Sequence, residues 1–195
     1  MSTLRERTRE AVRDEVLTSA WLLFADNGFE RTTVDQIAES AGMSRRSFFR
    51  YFATKEELIL IRLIEHDEKV AAMLSARPAE EGAWTAVRAA LVPMLEAHEL
   101  QRERSLALIR MMREPGLRST LAERERRWVT RMAPLVAKRL PRTTVPFDQD
   151  PRPLAVAGAA ITCLSTAQAI WAVHPDKSLP RLLDRAMSAF EVVGS

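Results

Sequence analysis

A cluster of basic and hydrogen-bonding side chains is the part of this sequence best suited to chemistry. Its members are Ser44, Arg45, Arg46, Ser47, Phe49, Arg50, Tyr51 and Lys55. No acidic residue occurs between Glu39 and Glu56, so this segment carries four positive charges in a chain whose formal net charge is +3. Lys and Arg side chains favour binding to nucleic acid because they displace the counterions of its phosphates. The composition of the cluster therefore predicts contact with a polyanion such as DNA.

Two short helices folded about one glycine would position this cluster. Thr33 can cap the first helix with Gln36 as its capping-box partner, and Ser44 can cap the second. Gly42 lies between them and can adopt the left-handed turn that other residues adopt only at a cost. Phe48 falls on the inner side of the second helix. The pattern predicts a helix-turn-helix, and an ordinary αα-hairpin is the alternative that spacing alone leaves open.

The segment also resembles the N-terminal domain of TetR-type transcriptional repressors, over roughly residues 11 to 60. The residues that carry the resemblance are Phe24-Ala25-Asp26-Asn27-Gly28-Phe29, Thr33, Ile37-Ala38, Ala41-Gly42, Ser44, Phe52 and Lys55-Glu56-Glu57-Leu58. The family usually has Tyr where this chain has Phe49, Pro where it has Ala53 and a small residue where it has Arg46. Because of these departures, no base preference is carried over from the family.

The resemblance implies that the second helix of each subunit enters a major groove of palindromic duplex DNA. Arg45 and Arg46 are expected nearest the base edges. Phosphate contacts are expected from Thr33, Ser44, Tyr51 and Lys55. Phe48 and either Tyr51 or Phe52 are expected to be buried, which leaves Ser47, Phe49 and Arg50 on the outer face.

Composition favours a helical protein. The 195 residues are 47% hydrophobic and 28% charged, and alternating strand patterns are nearly absent. The single cysteine, Cys163, excludes an intramolecular disulfide, and the three histidines are too far apart in sequence for a metal site, so we expect no cofactor. The charged N-terminus lacks the apolar run of a signal peptide. The expected location is therefore the cytoplasm.

Helical periodicity predicts an all-α chain with two domains. Residues 1–54 would form a three-helix DNA-binding domain, and residues 55–195 a helical bundle for ligand binding and dimerisation. The fourth helix is expected to be apolar at Leu58, Ile61 and Ile64 and, more weakly, at Ala71 and Leu74. Outside the helix-turn-helix, the predicted helices cover residues 8–27, 55–75, 80–98, 101–113, 119–140, 154–173 and 179–193, and an exposed loop covers 141–153.

The segment 154–173 is uncharged and long enough to cross a membrane. Its residues are mostly Ala, Ser, Thr and Gly, which insert poorly into lipid, so we expect no membrane span. A helix that is apolar on all sides is buried on all sides. We therefore predict that 154–173 and 179–193 form the interface of a homodimer.

A ligand-binding bundle is expected between the fifth and eighth helices, because Pro93 and Pro134 should kink two of them and leave room. The apolar residues expected to line that space are Trp84, Met94, Ile109, Met112, Trp128, Met132 and Trp171. Ordinary core packing is the alternative for each. The region 99–142 carries a net charge of +7, which is typical of a solvated helix face but would also suit an anionic effector.

The interpretation that follows is a sequence-specific DNA-binding regulator, most simply a repressor released by a small apolar or amphipathic effector. The run from Arg45 to Arg50 resembles a subgroup of actinobacterial regulators, some of which bind acyl-CoA thioesters, so an acyl-CoA-like effector is implied. A helical carrier module without specific DNA binding is one alternative. An enzyme using His98, Cys163 or His174 is another, although no base is placed beside the cysteine, so we expect no catalysis.

Overall fold

The computed structural model describes residues 3–192, with side chains described to residue 190, and contains nine α-helices and no strand within that range. The helices are α1 (Leu4–Asn27), α2 (Val34–Ser40), α3 (Arg45–Tyr51), α4 (Lys55–Ala76), α5 (Ala83–Leu100), α6 (Arg102–Met111), α7 (Arg118–Ala137), α8 (Arg152–Val173) and α9 (Leu179–Val192). The all-α prediction is confirmed. Met1, Ser2 and the predicted helix end at Val193 lie outside the described residues.

The first helix begins about one turn earlier than predicted. Thr3 and Glu6 form a capping box, in which the Glu6 amide donates to the Thr3 hydroxyl and the Thr3 amide donates to the Glu6 carboxylate. These bonds satisfy amides that would otherwise lack a partner at the helix N-terminus. The added turn places Arg5 near Arg50 and Tyr51, because these three residues and Arg9 line one concavity.

A first hydrophobic core holds α1, α2 and α3 together. Phe24, Ile37 and Phe48 are fully buried in it, and Phe52 is buried where the prediction left Tyr51 or Phe52 open. This core also contains residues outside the first 54. They are Leu58, Ile59 and Leu63 of α4, Met111 of α6 and Leu117. Because a three-helix unit of this size buries little apolar area alone, contacts from α4 and α6 contribute to its stability.

The buried side of α4 differs in part from the predicted one. Ile61 and Ile64 are only half-buried, whereas Leu63, Val70 and Leu74 are buried. The reason is that α4 contacts α1 at its start and α5 and α7 further along, so its buried side is not a single stripe. Of the five predicted apolar positions, Leu58, Ala71 and Leu74 are buried, and Ile61 and Ile64 are half-buried.

A second hydrophobic core contains residues of the six helices α4, α5, α6, α7, α8 and α9. Helix α8 packs against α7 and α9, and four of its nine buried residues are alanine, which allows close approach. Helices α5 and α7 run on through Pro93 and Pro134 without a break. The segment between α7 and α8 is almost entirely exposed and contains one 3-10 turn, Phe147–Gln149, so the predicted loop is confirmed.

Candidate functional site

The caps and the turn of the helix-turn-helix are those predicted. The Thr33 hydroxyl accepts from the Gln36 amide at 3.2 Å, and the Thr33 amide donates to the Gln36 side chain at 2.8 Å. The Ser44 hydroxyl accepts from the Ser47 amide at 3.1 Å. Gly42 has a φ of 65°, which L-residues with a side chain rarely adopt. These local bonds fix the direction in which α3 leaves the turn.

Helix α3 separates an apolar inner side from a basic outer side. Phe48 is buried and contacts the rings of Phe49 and Phe52, with centroid distances of 5.5 Å. The exposed side carries Arg45, Arg46, Phe49 and Arg50, whereas Ser47 and Tyr51 are half-buried. Because the basic side is exposed, it can approach a polyanion.

The exposed arginines differ in their engagement. Arg45 forms an ion pair of 2.8 Å with Asp35 and lies over the Phe49 ring, and Arg50 lies over the Tyr51 ring. Arg46 makes no hydrogen bond or ion pair within residues 3–190. The Arg45–Asp35 pair is largely exposed, so its net stabilisation is at most about 1 kcal/mol. Arg45 can therefore exchange Asp35 for another anion at little cost.

Lys55, one of the predicted phosphate contacts, also has partners within the protein. Its ammonium group donates to the carbonyl oxygens of Phe29 and Thr32 at 2.8 and 3.0 Å and lies 4.1 Å from the centroid of the Phe29 ring. It is half-buried, because α4 begins directly beneath the α1–α2 loop. The structure therefore places Lys55 in the support of that loop instead of on the outer surface.

Arg13 was missed by the sequence analysis. Its guanidinium donates to the carbonyl of Tyr51 at 3.0 Å and lies over the Phe52 ring at 4.8 Å. These contacts tie the end of α3 to α1. Nothing in the local sequence indicates this role, because Arg13 and Tyr51 are far apart along the chain.

Glu114, which follows α6, was also missed. Its two carboxylate oxygens accept from the amides of Phe29 and Glu30 at 3.0 and 2.8 Å. Gly28 has a φ of 82°, and a Cβ there would lie 3.0 Å from the Glu114 carboxylate. Glycine is therefore required for both the turn and this contact. We call the two hydrogen bonds the Glu114 bridge, since they join α6 to the α1–α2 loop.

A cavity of about 240 Å³ lies among α1, α4, α5, α6, α7 and α8. Its apolar wall consists of Trp21, Leu63, Met94, Leu108, Ile109 and Met112. Its polar wall consists of His66, His98, Gln101, Arg104, Ser105, Arg124 and Gln168. A space with one apolar and one hydrogen-bonding wall suits an amphipathic molecule.

Three of the seven residues predicted to line a ligand site line this cavity, namely Met94, Ile109 and Met112. The other four, Trp84, Trp128, Met132 and Trp171, lie outside its wall and pack in or against the second core, which corrects the prediction. The indole N–H groups donate to backbone carbonyls: Trp84 to Met187, Trp128 to Ala157 and Trp171 to Lys177. A buried indole needs such a partner, so these tryptophans have a structural role. Periodicity identified them as apolar but not which side of each helix meets the cavity.

The polar wall contains two imidazoles and Arg124, which forms an ion pair with Asp67 behind the wall. Arg124 and Asp67 form two hydrogen bonds of 2.9 and 2.7 Å, and burial raises the pKa of Asp67 while Arg124 opposes the rise. Burial, reinforced by the charges of His66 and Arg124, lowers the pKa of His98 to about 4. The His98 ring is therefore neutral at pH 7, and its Nδ1 has no hydrogen-bond partner among the described residues.

Most arginines of the basic region 99–142 have partners in the protein. Arg110 donates to Ala172, Arg139 donates to Leu74 and Arg77, and others pair with carboxylates. Arg104 is the exception on the cavity wall, because it makes no hydrogen bond or ion pair within the described range 3–190. Most arginines of this region therefore bind other groups of the protein, whereas Arg104 is available to a ligand.

Helix α8 has one exposed side that carries no charged residue. The exposed residues on it include Leu154, Thr162, Ser165, Thr166, Ile170 and Val173, and Phe190 of α9, whose ring lies 5.8 Å from that of Trp84, is also exposed. Val173 is 68% exposed and Ile170 is 43% exposed. Within the described residues, α8 is the one helix long and apolar enough to cross a membrane, but the core helix of a soluble protein passes the same test. Its other sides pack in the second core.

Two family models match this chain. Residues 16–60 match the model for bacterial regulatory proteins of the tetR family, and residues 81–193, more than half of the chain, match the MftR C-terminal domain. The chain is also 32% identical to the transcriptional regulator TcmR of Streptomyces glaucescens, over 92% of this chain and 81% of TcmR. This protein belongs to the TetR family of transcriptional regulators. The resemblance seen in the sequence is confirmed.

Other TetR-family proteins support the assignment along the whole chain. MftR of Mycobacterium tuberculosis is 28% identical over 97% of this chain and 92% of its own length. The crystal structure of FadR from Thermus thermophilus, in complex with lauroyl-CoA, superimposes with a TM-score of 0.56 at 20% identity. That match covers 90% of this chain and 91% of FadR and concerns the fold alone. Like other TetR regulators, this protein binds DNA and dimerises.

The residues considered for catalysis have no catalytic arrangement. Cys163 is 2% exposed in α8, and burial raises the pKa of its thiol, so the thiolate needed for nucleophilic attack is disfavoured. His98 lies on α5 at the cavity, and His174 is exposed at the end of α8. These environments fit a TetR regulator in which Cys163 is a small buried side chain.

Proposed function

We propose that this protein is a repressor that binds a palindromic operator as a homodimer and is released when an amphipathic effector occupies the cavity. The observation that carries the proposal is the basic outer side of α3, with Arg46 unpaired and Arg45 only weakly paired. Residues 1–54 would bind DNA, and residues 55–195 would bind the effector and the second subunit. Such a regulator acts in the cytoplasm.

In this proposal the side chains of the helix-turn-helix have different roles that depend on their positions. Arg45 and Arg46, in the first turn, approach base edges, where arginine binds guanine with two hydrogen bonds. Thr33, Ser44, Tyr51 and Arg50 approach phosphates, and Phe49 offers an apolar surface to a thymine methyl group. Lys55 acts indirectly by holding the α1–α2 loop.

The exposed side of α8 and α9 supplies the dimer interface in this proposal. A second copy of the same side would cover Ile170, Val173 and Phe190, and a two-fold axis there would present two α3 helices to two half-sites. The cavity is close to this interface. A second cavity of about 140 Å³ shares Ile109, Met112, Arg124 and Gln168 with the first and reaches Ser165 and Ala169 of α8. An effector can therefore act on the interface as well as on α6.

The walls of the cavity are compatible with a broad class of effectors. Apolar and hydrogen-bonding walls suit amphipathic molecules, acyl-CoA-like compounds included, and the T. thermophilus FadR complex holds lauroyl-CoA. An effector that prefers one spacing of the two α3 helices changes operator occupancy, and a coupling of about 1–3 kcal/mol corresponds to about 5- to 150-fold.

The test of DNA recognition begins with selection of tight binders from a random duplex library. We expect an inverted repeat. Against the selected operator, Arg46→Ala should lose about 1–3 kcal/mol and relax base preference at one position of each half-site. Arg50→Ala should weaken binding to all sequences and lower the salt slope by about one. Lys138→Ala, at an exposed site on the far end of α7, is the control and should change neither.

Two results would count against the proposal. Enrichment of no sequence, with duplex binding insensitive to salt, would favour the carrier module without specific DNA binding. Equal losses for operator and random DNA in Arg46→Ala would remove that residue from base recognition and leave only a phosphate contact.

A further inference from the structure

The cavity wall has more positive than negative charge. Of the residues that line the cavity, Arg104 and Arg124 carry formal charge and none is acidic. The charge of Arg124 is balanced by Asp67, which lies behind the wall and binds it through two hydrogen bonds. His98 is neutral at pH 7 because its pKa is about 4. Arg104 is therefore left as an uncompensated positive charge, which a ligand with one negative charge would balance.

The hydrogen-bonding groups of the polar wall also have capacity to spare. Nη1 of Arg124 makes no hydrogen bond within the described residues, since Asp67 takes Nε and Nη2. His66 Nδ1 lies 2.7 Å from the carbonyl of Arg62 and must donate to it, so in the neutral tautomer Nε2 is an acceptor, which a carboxylate cannot use. Gln101 and Gln168 can donate or accept. A carboxylate, with two oxygens that each accept more than one bond, can use donors of this kind together.

The size of the cavity limits the body of the ligand. A cavity of about 150 Å³ in another protein binds benzene, which has six non-hydrogen atoms. By the same proportion a cavity of 240 Å³ holds about ten. That is a medium alkyl chain or one substituted aromatic ring with its head group, and the nucleotide part of a thioester would lie outside this cavity. The apolar wall, with Met94, Leu108 and Met112, can adapt to either shape.

We propose that the effector is a compact organic acid, bound with its free carboxylate between Arg104 and Arg124 and its apolar body against Met94, Leu108 and Met112. This inference rests on the proposed function only in treating the cavity as the effector site. It separates a free acid from an acyl-CoA thioester, in which the same carboxyl group is uncharged and joined to a large polyanion. Arg104 is thus the residue that determines specificity for the acid.

The test compares ligands of equal size and shape. Octanoate and octanamide have ten non-hydrogen atoms each and differ in charge, and 3-phenylpropanoate and its amide form a second pair. Binding is followed by isothermal titration calorimetry and by the fluorescence of Trp21, which lines the cavity. We expect each acid to bind at least about tenfold more tightly than its amide, because charge-assisted hydrogen bonds are stronger than hydrogen bonds between neutral groups.

Two charge-matched variants locate the binding. Arg104→Gln should reduce the preference for the acid to nearly onefold while leaving amide binding unchanged. Arg142→Gln removes the same charge from an exposed loop position and should retain the full preference. Both positions are exposed, so neither variant should impair folding. Octanoyl-CoA is titrated in parallel, together with the selected operator DNA.

The outcomes separate this inference from the proposed function. Equal binding of acid and amide, binding of octanoyl-CoA without octanoate, or no binding of any probe would overturn the organic-acid inference. Release of operator by octanoyl-CoA alone would overturn it while supporting the effector-controlled repressor. Tight binding of the acids that leaves operator affinity unchanged would support the ligand class and count against effector-controlled release.

Discussion

Replacing Glu114 by Gln should loosen the α1–α2 loop from α6. In the Glu114 bridge each carboxylate oxygen accepts one amide hydrogen, from Phe29 at 3.0 Å and from Glu30 at 2.8 Å. Glutamine keeps one acceptor oxygen and turns an N–H donor towards the second amide, so one bond is lost and the other loses its charge assistance. Hydrogen bonds to charged groups contribute about 1.5–3 kcal/mol each, and the Glu30 bond is exposed, so we expect a loss of about 1–2 kcal/mol.

Amide hydrogen exchange measures this change directly. A loss of about 1–2 kcal/mol corresponds to exchange about 5- to 30-fold faster at the Phe29 and Glu30 amides, followed by NMR. The matched control is Glu96→Gln on α5, where the side chain is exposed and makes no hydrogen bond within residues 3–190. Unchanged protection of both amides, or equal acceleration in the control, would refute the reasoning.

The same variant tests whether the bridge carries a signal. Met112 lines the cavity and Glu114 lies two residues further along, so a ligand that moves the end of α6 also moves the α1–α2 loop. Residues along such a path modulate coupling by about 0.5–2 kcal/mol. In Glu114→Gln, saturating octanoate should therefore lower operator affinity by a smaller factor than in the unaltered protein. An unchanged factor would assign the bridge a purely structural role.

Three further predictions concern other parts of the molecule. Asp35→Asn frees Arg45 and removes a negative charge beside the DNA, so duplex affinity at low salt, measured by fluorescence anisotropy, should rise about 2- to 5-fold; weaker binding would contradict this. Ile170→Arg places a charge on the exposed side of α8 and should give monomers in light scattering, whereas Leu100→Arg, at a position 87% exposed at the end of α5, should leave the dimer intact. A dimeric Ile170→Arg protein would argue against that interface. His98 has a folded-state pKa of about 4, whereas its ordinary value is 6.5. Below pH 6.5 the unfolded state therefore takes up a proton that the folded state does not. Stability should fall by about 3 kcal/mol as the pH decreases from 6.5 to about 4, and this component should not fall further below pH 4. Urea unfolding of His98→Gln should lack this component, and identical pH profiles would show that His98 is not its source.

The features predicted correctly from the sequence are those that depend on near neighbours. Capping by Thr33 and Ser44 requires only a partner three residues away, and the turn at Gly42 requires only the absence of a side chain. The inward position of Phe48 follows from helical periodicity in a short helix with one buried side. The division of the chain at residue 54 stays a prediction, since the first core draws residues from α4 and α6.

The predictions that failed concern helices contacted on several sides. Trp128 and Trp171 are apolar and belong to the core, whereas Arg104 and Gln168 on the cavity wall are polar. Periodicity shows that a residue is apolar, but the neighbouring helices decide whether it meets a core or a cavity.

The sequence by itself determined the class of this protein, because helix caps, turn chemistry and a basic recognition helix are encoded within some twenty consecutive residues. Only the tertiary structure decided which residues support the recognition helix and where a ligand fits. Lys55 was predicted to contact DNA, yet it is held by carbonyl groups at Phe29 and Thr32, more than twenty positions away. Glu114 meets the amides of Phe29 and Glu30 across more than eighty positions. Such pairings depend on the packing of α1 against α4 and α6, which the local sequence pattern around these residues does not reveal.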